Sequence, residues 1–88
     1  MSKILKFSAE WCAPCKAMSK QLDTIKGELS SVIIEEVDID KNPELRDKYG
    51  IRSVPTLIRV DDSGNELVRS IGTLTLIKLL EFCLGDNK

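Results

Sequence analysis

The apolar positions of this chain fall into short β-like runs separated by helical stripes. Ile4 to Ser8 reads as a strand, followed by a loop through Trp11. From Cys15 onward, Met18, Leu22, Ile25 and Leu29 recur at alternating spacings of three and four. That is the buried stripe of an amphipathic helix, with Lys16, Lys20, Asp23 and Lys26 on its wet side. Pro14 stands near the helix start, where a missing N–H costs nothing. Val32 to Ile39 is rich in β-branched residues and predicts a second strand. Asn42-Pro43-Glu44 predicts a helix start, with Asn as N-cap, Pro at the first position and an acid in the first turn. Gly50 then stops a short helix after Tyr49. Thr56 to Val60 is a third strand, and Asp61-Asp62-Ser63-Gly64-Asn65 turns the chain into a fourth, Glu66 to Ile71. Thr73 can cap a last helix carrying Leu76, Leu79, Leu80, Phe82, Cys83 and Leu84, with Gly85 as its stop. The order β-α-β-α-β-β-α predicts an α/β fold, a four-stranded mixed sheet with helices on both faces.

Length and charge narrow the function. Eighty-eight residues make one domain, 1–88, with one modest core. The net charge of −1 is spread along the chain, so no basic stripe argues for nucleic acid. No apolar run approaches the roughly 18 residues of a membrane span. The opening Met1-Ser2-Lys3-Ile4-Leu5-Lys6-Phe7 is interrupted by Lys6 and has no signal-peptide core. Three cysteines, an odd count, argue against a stapled secreted domain. A cytoplasmic, reducing location is therefore expected, where a Cys-x-x-Cys pair serves redox or metal chemistry.

Cys12-Ala13-Pro14-Cys15 lies where a strand ends and a helix begins. Unsatisfied N–H groups at a helix start carry partial positive charge, which favours thiolate over thiol. Cys12, at the very start, benefits most and is expected to be exposed enough to attack, and Cys15, one turn in, shielded yet close enough to resolve a mixed disulfide. Half a zinc site is the competing reading, but four ligands are usual. The chain has no histidine, and Cys83 is the one other soft ligand, so no metal is assigned. Cys83 itself falls on the core-facing rows of the last helix and is expected to be buried filler.

Ala9-Glu10-Trp11-Cys12-Ala13-Pro14-Cys15-Lys16 resembles the active site of the thioredoxin family, with Ala13 where the family usually has glycine. Tyr49-Gly50-Ile51-Arg52-Ser53-Val54-Pro55-Thr56 resembles the segment carrying the family's cis-proline. Asp38-Ile39-Asp40-Lys41-Asn42-Pro43 and Gly72 fit as well, so the likeness spans nearly the whole chain. The resemblance implies a minimal thioredoxin fold and thiol–disulfide exchange on protein disulfides, with no cofactor. It implies a cis Val54–Pro55 bond and an apolar rim of Trp11, Ala13, Pro14, Val54, Pro55, Ile71 and Gly72 that takes a peptide by β-augmentation. For Ile71, plain core packing is the competing reading. Regeneration by a flavoprotein thioredoxin reductase is implied, ribonucleotide reductase is a client by analogy, and a monomer is expected.

The departures from the family are informative. The family begins with an extra strand and helix, and the sequence predicts a compact, phage- or archaeal-type member lacking both. Val32 to Ile39 then becomes an edge strand, with Glu35, Glu36 and Asp38 as a charged defence. Lys6 stands where the family keeps a buried aspartate, and Glu36 where it keeps the partner lysine. A lone buried charge is costly, so Lys6 and Glu36 are expected to pair below the cysteines. Glu36 would then accept the Cys15 proton while Lys6 favours thiolate; alternatively the pair is solvated and tunes nothing. Lys20 replaces a kinking proline, and Ser8 replaces a tryptophan, leaving Trp11 as the single tryptophan.

Two rival functions remain at this point. A glutathione-dependent, glutaredoxin-like enzyme suits the size, although Thr73-Leu74 follows Gly72 where that branch has a glycine and acids. A docking module that keeps the fold without the redox step would survive loss of both cysteines.

Overall fold

β1 (Lys3–Ser8) is buried at five of its six positions because it runs through the middle of the sheet. In a computed structural model of the chain, which describes residues 3–29 and 32–85, it pairs in parallel with β2 (Ile33–Asp38) and antiparallel with β3 (Thr56–Val60). β4 (Glu66–Ile71) pairs antiparallel with β3, giving the order β2-β1-β3-β4. β2 therefore forms one edge of the sheet, as expected.

Alternation along the strands divides the core in two. Ile4 and Leu57 face Met18 and Leu22 of α1 (Ala13–Thr24) together with Leu79 and Cys83 of α3 (Leu76–Leu84). Leu5, Phe7, Val37, Ile58 and Val60 face the other way, onto Leu45 of α2 (Pro43–Lys48) and the Tyr49 and Ile51 that follow it. The result is the expected β-α-β-α-β-β-α order with helices on both faces. No helix among the described residues is long and apolar enough to cross a membrane.

The expectation of a compact variant without an N-terminal strand and helix is corrected. The chain retains both at its N-terminal end, β1 and α1, built from the apolar run at Ile4–Phe7 and the stripe that begins at Cys15. Three local readings also change. The stripe outlasts its helix: α1 ends at Thr24, and Ile25 and Leu29 stay in the core through tight turns such as Leu29 N–H to Lys26 carbonyl, 3.1 Å. Asn42 occupies the N-cap of α2 but its side chain does not cap; its amide donates back to the Asp38 carbonyl at 3.1 Å. Thr75, not Thr73, caps α3, its hydroxyl accepting from Lys78 N–H at 3.2 Å. Gly50 does end α2's turn, at φ +62, a left-handed conformation that suits glycine. α1 runs unbroken through Lys20.

Cys83 is a free, buried thiol, pushed up to about 11 by burial that the Arg59 charge offsets in part. A thiol that resists ionisation is a poor nucleophile. After reduction, native alkylation at neutral pH should therefore leave Cys83 unmodified, with labelling seen by mass spectrometry once the chain is unfolded. Leu79, fully out of solvent, ties α3 to the sheet. Leu79→Ala should cost about 2–5 kcal/mol in urea unfolding, and a loss below about 1 kcal/mol would contradict this packing.

Candidate active site

The turn from β1 into α1 fixes the cysteines. Cys12 N–H donates to the Ala9 carbonyl at 3.1 Å, which folds residues 9–12 back over the end of the strand. Cys12 then stands at the N-cap of α1 in an extended conformation, and Pro14 falls in the first turn, where no N–H is missed. Cys12 and Cys15 are joined in a disulfide, with their Cα atoms 5.3 Å apart. Cys12 Sγ also accepts the Cys15 N–H at 3.1 Å. The sulfur thus takes the place of a capping oxygen and meets the positive end of the helix.

The expectation that Cys12 is exposed is corrected. Its exposure is 4% and that of Cys15 is 2%, because the bonded sulfurs pack with Ala9 against Val54 and Ile39. Ala13, Pro14 and Lys16 lie exposed on the same helical turn.

The rim is assembled from three other segments. Trp11 is 68% exposed, and its indole N–H donates to Asp40 Oδ2 at 2.9 Å. Asp40 is held in place by the loop after β2, where Ile39 N–H meets the Ser8 carbonyl at 2.9 Å and Asp40 N–H meets Asp38 Oδ1 at 2.8 Å. The Val54–Pro55 peptide is cis and Pro55 is buried. Gly72, at φ +93, donates its N–H to the Pro55 carbonyl at 2.9 Å. Ile71 is 63% exposed beside it, which removes core packing as the reading of that residue.

Lys6 and Glu36 meet below the cysteines, as the sequence predicts. They are direct neighbours in the β1–β2 register, and Lys6 Nζ donates to Glu36 Oε2 at 3.0 Å. Burial works to raise the Glu36 carboxyl. Hydrogen bonds from Lys6 and Ser8, with the Lys6 charge, outweigh it and hold the group below the ordinary glutamate value. Ser8 Oγ donates to the same oxygen at 3.0 Å, and Lys6 Nζ also donates to Ser19 Oγ at 2.8 Å. Ser19, the bond from Ser8 to Glu36 and the Trp11–Asp40 bond escaped the sequence reading. Ser19 alone had a usable signal there, its spacing of four from Cys15 on one helix face. No cluster of three or more metal-ligating side chains occurs among the described residues.

Comparison with known proteins agrees with this geometry. The thioredoxin family profile matches residues 2–84, taking in the N-terminal strand and helix. The thioredoxin of Chlamydia caviae is 44% identical over 69 residues, 78% of this chain and 67% of that protein. The structure of Fasciola hepatica thioredoxin superposes with a TM-score of 0.83 at 30% identity, covering 94% of this chain and 78% of that one. A mutant thioredoxin from Halobacterium salinarum gives 0.81 at 28% identity, over 93% and 71%. The chain belongs to the thioredoxin family, and its Cys12–Cys15 pair makes it a thiol–disulfide oxidoreductase.

Proposed function

We propose that this chain reduces protein disulfides as a class, with Cys12 as nucleophile and Cys15 as resolving thiol. The observation that carries the reading is the position of Cys12 Sγ on the Cys15 N–H at the start of α1. In the reduced protein the same N–H and the helix terminus favour a Cys12 thiolate. That thiolate attacks one sulfur of the substrate disulfide, forms a mixed disulfide and releases the other substrate sulfur as thiolate. Cys15 then attacks Cys12 Sγ, the mixed disulfide breaks, and the second substrate thiol leaves. Two electrons pass to the substrate and the Cys12–Cys15 bond closes.

Trp11, Ala13, Pro14 and Ile71 supply apolar contact for an extended peptide, and Val54, Pro55 and Gly72 its backbone-facing floor. Exposed Trp11 and Ile71 support this assignment, as does the packing of Val54 against the cysteines. Redox partner proteins follow from the family. A thioredoxin reductase as electron donor and ribonucleotide reductase as a client rest on family membership alone. Cytoplasmic placement is supported by the odd cysteine count, with Cys83 free.

Cys15→Ser should accumulate a covalent adduct with a disulfide-bonded protein, seen on a non-reducing gel and dissolved by thiol. Cys12→Ser should form none; an adduct through Cys15 in that variant would reverse the two roles. Burying an isoleucine against a bound peptide gives about 1.5–3 kcal/mol at most. Ile71→Ser should therefore raise KM for a protein disulfide roughly tenfold, about 1.4 kcal/mol. The same variant should leave reduction of a small aromatic disulfide nearly unaltered, and equal losses on both would place Ile71 outside the groove.

A further inference from the structure

Among the described residues Lys6 is the one charged side chain that the fold removes from solvent, and its exposure is 1%. An ammonium taken out of water is costly unless paired. Two groups hold it, Ser19 Oγ at 2.8 Å and Glu36 Oε2 at 3.0 Å. Ser19 follows Cys15 by four residues on α1, so the two side chains occupy one helix face, one turn apart. The ammonium is thereby anchored to the residue one helical turn after Cys15. Lys6, Ser8, Cys15, Ser19, Glu36 and Asp38 line one cavity of about 370 Å³.

The ion pair does not present its two charges equally. The Lys6 side chain is 2% exposed and that of Glu36 is 59% exposed. Water screens the carboxylate, whereas the ammonium acts through the poorly polarisable interior. The remaining charges on the cavity wall are Asp38 on β2, Glu10 in the loop after β1 and Lys16 on α1. Glu10 and Lys16 are exposed and Asp38 is half-buried. Asp23 and Lys26, of opposite sign and both exposed, flank the ammonium further along the chain. β3 places uncharged Leu57 opposite Lys6.

We propose that the Lys6 ammonium, positioned by Ser19 and Glu36, stabilises the Cys15 thiolate and so poises the Cys12–Cys15 couple toward its reduced state. The inference rests on Cys15 being the resolving thiol. When an external dithiol reduces the disulfide, two electrons enter the S–S bond, the bond breaks, and the reductant leaves as its own disulfide. The two thiol protons of the reductant go to the freed sulfurs or to solvent. With Lys6 beside it, Cys15 Sγ keeps its negative charge and releases its proton to solvent at lower pH. A reduced form stabilised in this way raises the reduction potential.

The test is the reduction potential of the full chain, equilibrated against a dithiothreitol buffer across a range of pH. The plot changes slope where each sulfur ceases to take up a proton, and the upper break reports the more buried thiol. Lys6→Met should move that break up by about one pH unit, a tenfold loss in thiolate stability. Above the break its potential should fall by about 30 mV. Ser19→Ala should shift the break the same way by less. Glu36→Gln removes the screened anion and keeps the ammonium, so its break should move down. An unmoved break in Lys6→Met, or an upward shift in Glu36→Gln, overturns the inference. Should Lys6→Met fail to fold by circular dichroism, the direction in Glu36→Gln decides. Failure of the unaltered chain to equilibrate with the dithiol at all would instead strike the redox reading itself.

Discussion

β1 has strands on both sides and helices on both faces, so every side chain from Ile4 to Ser8 must leave water. Four of those five positions are filled with apolar or small residues, and one holds a lysine. The burial of that strand makes two demands elsewhere. Its backbone is satisfied by β2 and β3, which sets the register that brings Glu36 beside Lys6. Its charge is satisfied by that carboxylate and by Ser19, which ties the inner face of α1 to the strand beneath it. Substituting an apolar residue at position 6 alone would leave Glu36 without its main partner, although Glu36, being largely exposed, can be hydrated there.

The same strand also decides where chemistry can occur. From β1 the chain passes to α1 on one face of the sheet, and from β2 it passes to α2 on the other. A crevice opens outside the carboxyl ends of parallel strands where successive connections part in this way. Cys12 comes from the first connection and Asp40 from the second, and the Trp11–Asp40 hydrogen bond closes the gap between them. Ile39 N–H on the Ser8 carbonyl pins the two connections one residue deeper. The cysteines thus sit at a helix terminus whose approach is shaped by loops on both faces, and the β3–β4 edge adds Pro55 and Gly72 from the third side.

Much of this was legible in the residue pattern. Strand positions, helix order and the turn at Gly50 follow from apolar period and φ preference, both local properties. Lys6–Glu36 pairing could be inferred because a buried cation needs a partner and register places one beside it. What sequence missed is tertiary. Ile25 and Leu29 continue a helical spacing, yet they reach the core through turns, since a stripe records which residues are buried and not which backbone carries them. Asn42 had a backbone carbonyl, that of Asp38, within reach and bonded it in preference to capping. Cys12 looked exposed as a helix-start residue, but the bonded sulfur lies under Val54 and Ile39, segments distant in sequence. The expectation of a compact member without N-terminal elements gave way to the strand and helix that the chain forms there.

β2 carries the remaining tension. An edge strand needs charge to discourage pairing with other chains, and Glu35, Glu36 and Asp38 supply it. Glu35 spends its charge on Lys3 in a pair open to water, where it adds little stability. Glu36, one residue on, points to the other side of the strand and meets the buried cation under the active site. Alternation along a single edge strand therefore separates two uses of the same side chain, one for solubility and one facing the redox centre. Because the second use needs a carboxylate that water can still reach, it depends on β2 staying at the edge. A strand added outside β2 would cover Glu36, strip the screening from its charge and restore the symmetry of the ion pair, weakening the field that Lys6 projects toward Cys15.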